Sequence, residues 1–268
     1  MSASAFHEPN WQGQTIGINC ENALIKTRAV AVCDILGFST LVGSKPLTFV
    51  VDQALGWLRK ALYHSLHKEG FPEHTPNISD LRNHEHLGFA WFSDTLLLYT
   101  RDDSPECIQQ IIQTVGWLLF ETIIAGNTRL RCGISYGETF IDEENGLFVG
   151  RPIVEAYHLE KSQEWSGAAL TDNATALIPE RARNGEFGDW WIIPWDVPLK
   201  EGRSRRMHVV NWTWGIHNPG LFLRWSAEAA EPPAVDWEQR PDVCRKWKNT
   251  KAFHDQTCGW CNRQSRLR

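Results

Sequence analysis

Long apolar runs are missing from this chain: no stretch of its 268 residues approaches the ~18–20 needed to cross a bilayer. The first segment, MSASAFHEPNWQGQTIGINCENALIK, lacks the basic start and continuous apolar core of a secretory signal. The expected compartment is therefore the cytoplasm, with no membrane partner. A surplus of positive charge is missing too. A net charge of −5 and a pI near 6.1 offer nucleic acid and anionic membranes no general attraction, so nucleic acid is not an expected partner. The seven cysteines are odd in number and scattered, unlike the dense framework of a small secreted domain. There is no internal repeat and no low-complexity tract. With 42% hydrophobic and 22% charged residues, the chain has the composition of an ordinary globular protein.

What is present begins with two aspartates where aspartate should be rare. Asp34 interrupts AVAVCDILGFSTLV (29–42), and Asp94 interrupts HLGFAWFSDTLLLYT (86–100). Taken singly, each reads more readily as a turn former or helix cap than as a ligand. The pair is different. Two carboxylates buried close together demand a cation, and hard oxygen ligands suit Mg2+ or Mn2+. After Asp34, Ile35-Leu36-Gly37-Phe38-Ser39 reads as a tight strand-to-helix turn. Its backbone N–H groups can cradle phosphate oxygens; on local evidence alone, Gly37 relieving strain is an equally good reading.

Residues 29–34 form a β-branched apolar run that predicts a buried strand. Ser44-Lys45-Pro46 predicts a helix start, followed by Val50, Val51, Leu55, Leu58, Leu62 and Leu66 at helical spacing as far as Gly70. A loop is expected over 71–85, then a hairpin of Leu87–Phe92 and Leu96–Tyr99 with Asp94 at its tip. A second helix starts at Ser104-Pro105-Glu106 and ends near Gly126. A second hairpin is expected from LRCGIS (130–135), a turn at Tyr136-Gly137 and ETFID (138–142). A helix from Pro152 to about Trp165, a strand at 168–171 and a short helix from Asn173 follow. The order predicts an α+β fold: a ferredoxin-like βαββαβ core with an antiparallel sheet. The expected divisions are a lead-in over 1–27, a main domain over 28–182 and a Trp-rich extension over 183–268.

At this point the motifs resemble a known family. DILGFS is similar to the motif that opens class III nucleotidyl cyclase domains, FSDT falls at that family's second metal aspartate, and RCGISYGE resembles its GI-x-x-GE hairpin. ENGLFVGRPIVEAYHLEK is similar to the segment leading into its dimer-interface helix. The resemblance spans about residues 28–180. It implies two divalent ions, Mn2+ or Mg2+, held by Asp34, Asp94 and the Ile35 carbonyl, with Asp34 and Asp94 catalytic. It also implies a nucleotide held by Ile35, Leu36, Gly37, Phe38 and Ser39, in-line attack of the ribose 3′-hydroxyl on the α-phosphorus, and a head-to-tail homodimer sharing its sites.

Departures from the family pattern carry further expectations. The purine-reading lysine maps to Ala90, its partner aspartate to Leu147, and the ribose- and phosphate-steadying asparagine and arginine to Val154 and His158. A cyclase with metal aspartates and no purine readers resembles the pyrimidine cyclases of bacterial Pycsar anti-phage systems. That implies UTP converted to cUMP as a signal for a separate effector protein, with CTP, then a purine triphosphate, then a non-catalytic nucleotide-sensing or dimerisation module as alternatives. Arg101, Arg131, Arg151, Lys161 and His158 are candidates to offset phosphate charge, with a solvated surface role the alternative for each, and Arg101 is a candidate nucleotide-binding residue. In the extension, Cys244, His254, Cys258 and Cys261 form a C-x9-H-x3-C-x2-C candidate set for a structural Zn2+; free thiols are the competing reading. Tryptophans 190, 191, 195, 212, 214 and 225 are expected to wrap the core or build a dimer.

Overall fold

The computed structural model describes residues 25–67, 71–82, 84–124, 128–183, 191–213 and 240–264. Strand β1 (Ile25–Ile35) is an interior strand of the sheet, because its apolar run can be buried on both faces. Ala29, Ala31, Cys33 and Ile35 enter the main core, while Val30 and Val32 enter a smaller cluster on the opposite face. By the same alternation Asp34 belongs to the face of Val30 and Val32.

Gly37 takes the left-handed conformation (φ 81°) that reverses the chain into α1 (Phe38–Ser44). This helix precedes the start expected at Ser44. Pro46 then opens α2 (Leu47–Phe49), which runs through a π-helical turn (Val50–Leu55) into α3 (Gly56–His67). Val50, Ala54, Leu58, Leu62 and Leu66 are buried at four-residue spacing, whereas Val51 is left exposed. The wider π turn shifts the phase of the apolar face, so Val51 leaves it. A short helix, α4 (Ile78–Arg82), lies inside the expected loop.

Strands β2 (Leu87–Phe92) and β3 (Thr95–Thr100) form the expected hairpin around a two-residue turn, Ser93-Asp94, with Ser93 at φ 55°. Helix α5 (Pro105–Ile124) starts where expected, with the Ser104 hydroxyl accepting from the Cys107 N–H at 3.3 Å. Its residues Ile111, Ile112, Val115, Leu118 and Leu119 are buried in the main core beside α3.

The second hairpin is not where the sequence placed it. Residues 130–142 are one continuous strand, β4, paired along its length with β1 from Ile35↔Leu130 to Ile25↔Phe140. Gly137 sits at φ 153° inside that ladder, and a Cβ there would come within 2.9 Å of the Pro152 ring. The glycine accommodates a packing neighbour rather than a reversal. The actual turn is 143–146, returning as β5 (Leu147–Val149).

Helix α6 (Arg151–Ser162) crosses the face opposite α3 and α5, against β1 and β4. It ends three residues before the expected Trp165. Strand β6 (Ala168–Leu170) runs parallel to β4, followed by α7 (Asp172–Ala176) and α8 (Glu180–Arg183). The chain then adds β7 (Ile192–Pro198), β8 (Ser204–Val210) and a long helix, α9 (Pro241–Gln264). Among the described residues the sheet order is β2-β3-β1-β4-β6-β8-β7, with β5 on β4 and only β4–β6 parallel. The first four strands carry the ferredoxin-like order of an α+β fold, as expected.

The sheet does not end at 182. Ala169 of β6 pairs with Val209 of β8, so residues 192–210 extend it. Trp195 and Trp212 pack on Phe253 of α9 with ring centroids 5.0 and 5.7 Å apart, and Trp191 lies against Trp117 at 5.4 Å. Those three tryptophans wrap the core; Trp190, Trp214 and Trp225 fall outside the described residues.

Candidate active site

Antiparallel pairing brings the two aspartates together. Asp34 pairs with Thr95, the residue after Asp94, and the Ile35 N–H donates to the Asp94 carbonyl at 3.2 Å. Both carboxylates therefore leave neighbouring strand ends at one edge of the sheet. Asp34 is only 8% exposed. Asp94, on the turn, is half-buried and has no ion pair among the described residues.

The buried carboxylate needs a cation, and the chain provides two. Lys161 Nζ lies 3.1 Å from Asp34 Oδ2, and Arg131 Nη2 lies 3.8 Å from the same oxygen. Arg131 faces Asp34 directly across β1 and β4. Its Nε donates to the fully buried Glu160 at 2.5 Å, and its Nη1 donates to the Gln163 carbonyl at 2.9 Å. Two cations and two carboxylates thus form a charge-balanced cluster in which Arg131 and Glu160 are buried and Lys161 stays partly exposed. Burial pushes the Glu160 carboxyl above its ordinary range, with Arg131 opposing and Asp34 adding to the rise. Burial would lower the Lys161 ammonium, but Glu160 and Asp34 outweigh it and hold the group above its ordinary value. Glu160 was not singled out from sequence. Its signal was weak, since an acidic residue on a helix is ordinarily a solvated one.

The Gly37 turn is partly committed to the fold. The Leu36 N–H donates to the Arg129 carbonyl at 2.8 Å, and Ile35 is taken by Asp94. A phosphate cradle here must use the amides of Gly37, Phe38 and Ser39 in the first turn of α1, which have no intrahelical acceptor.

Other sequence candidates lie elsewhere. Ala90 pairs with Leu97 and packs, with Phe148, on the smaller cluster facing α6. Leu147 pairs with Asp142, eleven residues along β4 from Arg131, or about 36 Å of extended strand. Arg101 follows the far end of β3, about 23 Å of strand from Asp94. There its guanidinium pairs with Glu143 and donates to the Arg82 carbonyl at 3.1 Å, so within one chain it does not reach the aspartates. Arg151 is exposed and paired with Glu155 at 2.7 Å; Val154 and His158 are exposed on α6.

The four-ligand zinc set does not assemble around one ion. Cys244 and His254 stand ten residues apart on the continuous helix α9, a rise of about 15 Å. The side chains of Cys258 and Cys261 lie outside the described residues. Among the described residues no group of three or more His, Cys, Asp or Glu side chains is placed to hold a metal.

No family model matches the chain, and no curated protein matches it in sequence. Among solved structures, the monomeric guanylyl cyclase domain of the RhoGC fusion protein from the aquatic fungus Blastocladiella emersonii aligns over 69% of this chain and 94% of its own. Its identity is 13% and its TM-score 0.47. The catalytic core of a rhodopsin-guanylyl cyclase with converted specificity, in complex with ATPalphaS, aligns over 69% and 95% at 16% identity and TM-score 0.46. An adenylate/guanylate cyclase/hydrolase from Silicibacter pomeroyi aligns over 69% and 95% at 17% identity and TM-score 0.41. The fold stands on the strand order described above, and the function on the site itself.

Proposed function

We propose that this chain is a nucleotide cyclase converting UTP to 3′,5′-cyclic UMP and pyrophosphate, as a signal to a separate effector in anti-phage defence. The observation that carries the reading is the meeting of Asp34 and Asp94 on adjacent strand ends beside the Gly37 turn. The donor set fits a divalent cation: two carboxylates plus the Ile35 carbonyl are hard oxygen ligands. Asp94 has no ion pair among the described residues, and Lys161, with 38% of its side chain exposed, has room to leave Asp34. Bound there, Mn2+ or Mg2+ would activate the ribose hydroxyl and neutralise phosphate charge.

The chain's own contribution is positional. Glu160 and the Gln163 carbonyl hold Arg131 beside the carboxylates, where its charge offsets that of a phosphate group. Lys161, once off Asp34, adds a second cation. Ala90 and Leu147 present no polar group to read a purine, which supports a pyrimidine base. Leu147 is too far from Asp34 to share its nucleotide within one chain, which supports a head-to-tail homodimer. The face that would be covered exposes Phe92, Leu147, Val149, Val154 and Tyr157. Among the described residues no helix is long and apolar enough to cross a membrane.

The Lys161 ammonium on Asp34 favours a second reading: an ion-paired scaffold that keeps the fold without turnover. One assay separates the two. The purified chain is incubated with ATP, GTP, CTP or UTP and Mn2+, and cyclic product and pyrophosphate are followed. Product from UTP in preference to CTP supports the proposal; product from ATP or GTP alone replaces the base assignment. Silence with all four, in a chain folded by circular dichroism, leaves the scaffold reading. Asp94→Ala should abolish product while shifting stability by less than about 0.5 kcal/mol, as expected for a turn residue.

A further inference from the structure

A cavity of about 390 Å3 opens between the Gly37 turn and α9. Its volume is within the range of small-molecule sites. Asp34, Ile35 and Asp94 do not line it. Its walls are strongly cationic. Among the described residues, Arg129, Arg240 and Lys246 face it with a single carboxylate, Asp242. That carboxylate is shared: Arg240 Nε lies 3.2 Å from one oxygen and Lys246 Nζ 3.7 Å from the other. Arg129, half-buried, has no side-chain hydrogen bond or ion pair among the described residues. Burial pushes its guanidinium below the ordinary arginine value, the cost of a charge without a counterion.

A second orphan points the same way. Thr128 is 4% exposed, lines the cavity, and its hydroxyl has no hydrogen-bond partner among the described residues. A buried hydroxyl and a half-buried guanidinium on consecutive residues line one cavity, and neither has a partner among the described residues, which suits an acceptor bearing negative charge. The roof is held in place independently of any ligand. The Ser166 N–H donates to the Thr250 hydroxyl at 2.8 Å, the Asn249 amide donates to the Glu164 carbonyl at 2.7 Å, and Arg245 pairs with Glu164 at 2.8 Å.

We propose that this cavity is a phosphate-binding site in which Arg129, Arg240, Lys246 and the Thr128 hydroxyl hold the phosphate group of a small molecule. The excess of two positive charges matches a phosphoryl dianion rather than a carboxylate. The site is distinct from the carboxylate pair and does not require turnover there. Two sources share the chemistry: the pyrophosphate end of a nucleoside triphosphate lying across the Gly37 turn, or a separate phosphorylated metabolite.

Calorimetric titration of the full chain with inorganic pyrophosphate in EDTA tests it, since metal-dependent binding at the aspartates is then removed. Saturable binding is expected, weakened about tenfold or more by Arg129→Gln and by Lys246→Gln, and unchanged by Asp94→Ala. Lys246 lies on the surface of α9, so its variant reports even if Arg129→Gln fails to fold. A titration repeated in saturating non-hydrolysable UTP analogue assigns the source: competition points to the triphosphate tail, simultaneous binding to a separate metabolite. No pyrophosphate binding overturns the proposal. So does binding that survives both cation variants, or that is lost in Asp94→Ala.

Discussion

Gly133 shows how one missing side chain positions the candidate site. It lies on β4 beneath α6, and a Cβ built there would meet the Ala156 carbonyl oxygen at 2.2 Å and the Glu160 nitrogen at 2.8 Å. Both are backbone atoms and cannot yield without the helix moving. Gly133→Ala should therefore cost about 1–3 kcal/mol or more by overpacking, read as a lower urea midpoint. Because α6 carries Glu160 and Lys161 to Asp34, nucleotide turnover should fall with it. At this scale the sequence was partly legible. A buried aspartate announces that a cation is near, since an unpaired carboxylate is costly to bury. Which cation is a matter of distance, and Lys161 is 127 positions away in the chain from the oxygen it touches.

The segment between α4 and β2 is tied down by one imidazole. His84 Nδ1 accepts the N–H groups of His86 and Leu87, both at 3.2 Å, while Nε2–H donates to the Leu66 carbonyl at 3.2 Å. Only the neutral ring can do both. Burial lowers its pKa below 6.5, with the Leu66 hydrogen bond opposing, and His208 on β8 is lowered by burial and by Arg183 and Arg206. For a base depressed in the folded state, the unfolded chain takes up the proton first. Stability is therefore full above pH 6.5 and falls as pH drops towards the folded values. Melting temperatures between pH 7.5 and 5.5 should decline on acidification, and His84→Gln should flatten that slope; an unchanged slope would discount the imidazole's role. Element type was readable where periodicity was long, as in α5 and the β2–β3 hairpin. It misled at Tyr136-Gly137, where a glycine that marks a close approach has the same sequence signature as one that marks a turn.

Across the whole molecule, Phe253 is the aromatic by which α9 packs on the sheet, alongside its polar contacts to the 164–166 segment. Phe253 is fully buried, with the rings of Trp165, Trp195 and Trp212 at 4.9, 5.0 and 5.7 Å. Phe253→Ala should cost about 3–5 kcal/mol, the usual range for emptying such a pocket. Tryptophan emission should shift to the red as the three indoles meet water, and pyrophosphate binding should weaken as the cavity roof loosens. A variant with the wild-type emission and urea midpoint would mean that α9 is held by its polar contacts to the 164–166 segment instead.

The sequence by itself determined the βαββαβ order, the two aspartates and the turn at Gly37, because local periodicity, caps and the rarity of carboxylates in apolar strands are written in adjacent residues. Tertiary structure alone decided that β7 and β8 extend the same sheet, that Lys161 and Arg131 neutralise Asp34, and that Arg129 faces a cavity under α9. Those facts are pairings between residues distant along the chain, and their energy comes from burial and charge compensation that no local pattern encodes.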